Sequence, residues 1–199
     1  MKRLILVLLL FPLLLCGCAK SYFEPEQIII ISSVGIDADE DGILLTLETV
    51  DTSKPEGNWE YSPKTLEISN ISCEEAYSLL QKSLGNKLNL EHCVLVAFGE
   101  SLQKKQILNN LVFLSQTKKL SQNTKVIRCQ NANALIKTRS FSGQAVGYDI
   151  VKILALQSDK KTNLKSNLYN VLKWGNGVDL QLPEISLENG KYFLKGATK

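Results

Sequence analysis

Between residues 37 and 48 the chain carries Asp37, Asp39 and Asp41, then Gly42 and, six positions later, Glu48. This fits the pattern D-x-[DN]-x-[DN]-G-x5-E of a calcium loop, in which alternate oxygens and a closing glutamate surround a hard cation. Such a loop needs a helix on each side. Here IIIISSVGI precedes it and ILLTLETV follows, both rich in β-formers. On a strand, each residue carries Glu48 about 3.3 Å further from the turn and from Asp37. The expected structure is a solvated hairpin turn, with Asp37, Asp39 and Asp41 as candidates for weak attraction of a cation only. His92 is the single histidine and adjoins Cys93. A nucleophile and its base must lie within hydrogen-bond reach, whereas neighbours on a strand point to opposite faces. His92 is therefore expected to orient a turn and Cys93 to be a small core residue. One histidine gives no multi-histidine zinc site. No phosphate-binding glycine loop is present, so no nucleotide cofactor is expected.

A different chemistry is written at the N-terminus. Met1-Lys2-Arg3 is a positive start, and Leu4 to Leu15 is an apolar run broken only by Pro12. That run is too short for a comfortable span, which needs about 20 residues, and suits a cleaved secretory signal. Leu15-Cys16-Gly17-Cys18 follows, a branched apolar residue and small residues ahead of a cysteine. This spacing is that of a lipobox, whose cysteine thiol takes a diacylglycerol before cleavage. Cys18 is favoured over Cys16 because Gly17 precedes it, and bulky Leu15 precedes Cys16. Two acyl chains hold a protein firmly where one holds it marginally, at about 0.8 kcal/mol per buried methylene. Residues 1–17 are thus read as signal peptide and 18–27 as a lipidated tether. Cys73, Cys93 and Cys129 remain, an odd number without metal-like spacing.

The remaining sequence supplies the elements that hold these residues. Ile28 to Ile36 and Ile43 to Val50 read as strands around a turn at Asp37 to Gly42. Residues 51–63, with Trp59 and Tyr61, read as a loop, and Thr65 to Ile71 as a strand. Ser72-Cys73-Glu74-Glu75 has the form of a capping box, and the helix it opens ends at Gly85. Cys93 to Phe98 is an apolar run suited to a strand buried on both faces. A helix over Leu102 to Leu114, a strand over Thr124 to Cys129 and a short helix over Ala132 to Lys137 follow. Gly35, Gly42, Gly85 and Gly99 fall at expected element ends. After Thr138 the sequence SFSG reads as a linker. Helices over Gly147 to Leu156 and Leu164 to Lys173 come next, then strands over Leu180 to Leu187 and Tyr192 to Lys195. The fold class is α/β: a mixed β-sheet packed with helices, then a helical segment and the beginning of a further sheet region. The expected division is an N-terminal α/β domain at 28–138 and a second, incomplete region at 139–199.

In this order the segments resemble the Ger(x)C family, the lipoprotein subunit of bacterial spore germinant receptors. SSVGIDADEDGILLTLETV looks like the family's opening hairpin. ISCEEAYSLLQKSLGNKLNLEHCVLVAFGESL is similar to its helix, His-containing turn and buried strand. NNLVFLSQTKKLSQNTKVIRCQNANALIK and VDLQLPEISLENGKYFLKGATK are similar to the helix–strand–helix and the closing strands. Ala19-Lys20 stand where the family has Trp-Asp after the cysteine. Members are usually longer, so a shortened member, an interrupted frame or a fragment is expected. The resemblance implies a non-enzymatic subunit on the outer face of the spore's inner membrane, beside integral membrane subunits. It does not imply that this subunit binds the germinant.

Charge adds a further exclusion. The chain has 23 basic and 20 acidic side chains, and removing Lys2 and Arg3 with the leader leaves 21 basic ones. The lysines are scattered in short pairs, which gives no reason to expect nucleic-acid binding. The competing reading is a solute-binding lipoprotein of a transporter, for which the chain is short and lacks a ligand constellation. A surface hydrolase would need a nucleophile and base that the spacing does not supply.

Overall fold

The computed structural model describes residues 28–50, 64–158, 166–175 and 181–198. Cys18, Trp59 and Tyr61 lie outside them. Eight strands form one mixed sheet in the order β3-β2-β1-β5-β6-β7-β8, with β4 also paired to β1. In chain order the strands are β1 (Ile28–Asp39), β2 (Gly42–Val50), β3 (Lys64–Asn70), β4 (Lys87–Asn89), β5 (Leu95–Gly99), β6 (Lys125–Cys129), β7 (Leu182–Glu188) and β8 (Lys191–Thr198). The helices are α1 (Cys73–Leu84), α2 (Lys104–Thr117), α3 (Ala132–Lys137), α4 (Val146–Ser158) and α5 (Leu168–Gly175).

The β1-β5-β6-β7 centre is parallel, and antiparallel pairs flank it. A parallel centre must be covered on both faces, because its connections return over the sheet. β5 shows how this is met: Val96 and Phe98 face a core with α1, α2 and α5, and Leu95 and Ala97 face a core with α3 and α4. That is why the strand reads as an unbroken apolar run. The last hairpin, β7–β8, joins β6 in the same sheet. Its turn, Asn189-Gly190, has φ of 51° and 73°, the left-handed pair that a two-residue hairpin turn demands.

Local signals place most boundaries. The Ser72 hydroxyl accepts the Glu75 N–H at 3.2 Å, and Gly85 closes α1 at φ 66°. Two expectations are corrected. The turn after β1 is only Glu40-Asp41, so Asp37 lies inside the strand, opposite Leu44. Gly35 is also inside β1, where a Cβ would press on the Ala132 carbonyl and Ile136 at 3.1 Å. There glycine admits a helix and does not make a turn.

Candidate functional site

Three carboxylates lie buried, and each is held by backbone amides of the segment between residues 131 and 149. Asp37 comes first. Its Oδ1 accepts the Ala132 N–H at 2.8 Å and its Oδ2 the Asn133 N–H at 2.7 Å. Asn131, the N-cap, accepts the Ala134 N–H at 2.6 Å. The first amides of α3, which have no partner within the helix, are thereby satisfied from β1 and from the cap. Gly99 of β5 leaves room for the Asp37 carboxylate, since a Cβ there would collide with Oδ1. The Asn133 amide also donates to the Thr46 hydroxyl of β2 at 2.9 Å.

Glu48 does the same for α4. Its Oε1 accepts the Val146 N–H at 2.7 Å, and its Oε2 accepts the Ser33 hydroxyl at 2.5 Å and the Ser32 hydroxyl at 3.0 Å. Adjacent strand residues normally face opposite ways. The register of β1 on β2 slips between Ile31 and Ser33, and this bulge lets both serines reach one carboxylate. Gly147 makes the approach possible, because a Cβ there would meet the Ser33 Oγ. Burial pushes the Glu48 carboxyl above its usual range, and the hydrogen bonds from Ser33, Val146, Ser32 and Gly147 offset this only in part.

Asp149, in the first turn of α4, faces back on the chain that precedes it. It accepts the Ser140 and Ser142 hydroxyls, both at 2.6 Å, and the Phe141 N–H at 2.7 Å. Burial raises its carboxyl, but these bonds outweigh burial and hold it below the ordinary aspartate range. The SFSG stretch is therefore a pinned loop. Its Phe141 ring is 66% exposed and meets Tyr192 edge-on at 6.5 Å.

The residues of the calcium-like pattern are thus distributed among different tasks. Glu48 lies opposite Ser33, four residues down β1 from Asp37, or about 13 Å. Asp39 is exposed and is bonded by the Ser69 side chain and the Glu40 N–H, which lower its pKa. Asp41 is exposed in the turn. Among the described residues no three of His, Cys, Asp and Glu are grouped to hold a metal ion. His92 is exposed, whereas Cys93 is buried and its thiol donates to the Leu95 carbonyl at 3.2 Å. Cys73, Cys93 and Cys129 are free and buried, and burial pushes the first two thiols up to about 12 and the third higher still. Asp149, Ser32 and Ser33 were not singled out from the sequence. The available signal was two serines ending an isoleucine run in a strand buried on both sides, where a hydroxyl requires a partner.

A family model described as the spore germination protein N-terminal domain matches residues 21–187. The chain belongs to this spore germination protein family. The match supports the Ger(x)C family, as the sequence resemblance implied. The crystal structure of the GerBC protein is similar at a TM-score of 0.38 and 17% identity, covering 82% of this chain and 46% of that one. The germination-family chain thus spans about half the length of that solved structure. No curated protein matches. In this germination protein the matched stretch takes in Asp37, Glu48 and Asp149 together with every segment they hold.

Proposed function

We propose that this germination-family protein is the lipid-anchored, non-catalytic subunit of a spore germinant receptor. Diacylated Cys18 holds it on the outer face of the spore's inner membrane. There it assembles with integral membrane subunits and serves nutrient-triggered germination. The observation that carries this reading is the family match opening at residue 21, directly behind Leu15-Cys16-Gly17-Cys18. Two further findings support it. No helix among the described residues is long and apolar enough to cross a membrane. The buried carboxylates are engaged in positioning backbone, which suits a body that presents surfaces to other proteins.

Two measurements test the reading. Mass spectrometry of the mature protein is expected to find an N-terminal Cys18 bearing diacylglycerol. A clean deletion is expected to impair germination on nutrients and leave vegetative growth intact. A bare thiol on a freely soluble product, or normal nutrient germination in the deletion strain, would overturn it.

A further inference from the structure

Asp149 holds more of the chain than its own helix requires. Besides the Ser140 and Ser142 hydroxyls and the Phe141 N–H, its Oδ2 takes the Ser142 N–H at 3.4 Å. The loop then turns through Gly143 at φ 71°, a conformation that suits glycine. One buried carboxylate thus fixes Ser140, Phe141 and Ser142, and the large side chain among them is left 66% exposed. The Phe141 ring is itself steadied by its edge-on contact with Tyr192 of β8. Leu187 of β7 lies opposite Tyr192 and is exposed. Residues opposite one another in an antiparallel pair share a face of the sheet, so the apolar strip continues from the loop onto the hairpin.

Phe141 also lines a cleft of about 460 Å³, together with Arg139, the two serines, Gly143 and Gly190 of the hairpin turn. Arg139 is exposed. Lys137, two residues earlier, pairs with Glu67 at 2.8 Å, whereas Arg139 forms no ion pair among the described residues. Asp149 does not serve it, since that carboxylate is buried and taken up by the loop. The Tyr192 hydroxyl is buried and also lacks a hydrogen-bond partner among the described residues. An aromatic ring held still in water, a cation without a counter-charge and an unsatisfied hydroxyl thus lie on neighbouring residues.

We propose that Phe141 and Arg139 form a docking point for a partner protein, whose surface encloses the Phe141 ring in an apolar pocket and sets a carboxylate against Arg139. A ring two-thirds in water gains little from its own fold, so its immobilisation serves a contact made outside the chain. Aromatic residues and arginine are the side chains enriched where interfaces carry their energy, and a loop already pinned loses little freedom on binding. A small solute in the cleft would leave most of the ring in water, whereas a protein surface covers it. Guanidinium and carboxylate meet through two parallel hydrogen bonds, which fixes the partner's orientation. The inference deepens the receptor reading and rests on it, the partner being an integral membrane subunit.

The test titrates the full lipoprotein in detergent against the solubilised integral membrane subunits. Phe141→Ala and Arg139→Glu are each expected to weaken binding about thirtyfold, and both should keep the parental unfolding temperature. Arg139→Lys should recover only part of the loss, because an ammonium cannot make the paired bonds. Val112→Ala, at an exposed position of α2, should bind as the parent does. Parental affinity in both Phe141→Ala and Arg139→Glu would overturn the docking point and leave the receptor assembly standing. Absence of binding by the parent chain would reject the assembly, and the docking point with it. Self-association that Phe141→Ala abolishes, with binding to the membrane subunits unchanged, would assign the surface to a second copy of the chain and overturn the proposal.

Discussion

The two faces of the sheet hold their helices by different means. On one face Val96 and Phe98 meet Ile107, Leu111 and Leu114 of α2 and Ala76 and Tyr77 of α1, nearly all without solvent exposure. Such contact is strong but non-directional, and it tolerates small slides of a helix over the sheet. On the other face Leu95, Ala97 and Ile127 also pack on α3 and α4. There, Asp37 and Glu48 add bonds from backbone N–H groups at the first residues of both helices. A hydrogen-bond acceptor constrains its donors in both distance and direction. The difference teaches that apolar area supplies stability on one side, while a few oxygen atoms set position on the other.

Removing a large apolar group should give the greatest effect. Phe98→Ala is expected to lower unfolding free energy by about 3–5 kcal/mol in urea titration. Glu48→Ala should cost about 2–3 kcal/mol, because it strands two serine hydroxyls and the α4 amides.

Glu48→Gln sharpens the comparison through pH. Burial raises the folded pKa of Glu48 above its unfolded value, so the folded state holds the proton more tightly. Its contribution is full below about pH 4.3, the ordinary glutamate value, and fades as pH rises through the folded value. The glutamine variant should flatten that slope and stay within about 1 kcal/mol of the parent at neutral pH. Asp149 carries the opposite sign. Its folded pKa is lowered, so its contribution is full above about pH 3.9 and is lost as pH falls through the folded value. Asp149→Asn should cost about 1–2 kcal/mol, with faster amide exchange at Phe141 and Ser142 than anywhere on the α2 face. Phe141→Ala, at the exposed tip of the loop, should change stability by no more than about 0.5 kcal/mol.

This contrast also explains what the sequence revealed. The α2 face was legible because apolar periodicity is a local signal, as in Ile107, Leu111 and Leu114 or the Ser72-to-Gly85 helix. The α3 helix was placed at Ala132 to Lys137, where it stands. What could not be read was the destination of Asp37 and Glu48, whose partners lie 95 to 98 positions along the chain. Their spacing resembled a cation loop because a tight hairpin also puts acidic residues near a glycine. β4 was missed, since the three residues Lys87–Asn89 are too few and too polar to show a period. Gly35 was taken for a turn residue because the strand signal carries no information about a helix lying across it.

The three interior cysteines have a practical consequence. Burial pushes the Cys73 and Cys93 thiols up to about 12, so very little thiolate is present at neutral pH. Peroxides and alkylating reagents attack that anion, so the native domain should pass through oxidising conditions chemically unmarked. Once the chain opens, all three sulfurs become ordinary nucleophiles. The protein thus carries its own tamper seal, in which labelled cysteine counts the molecules that have come apart.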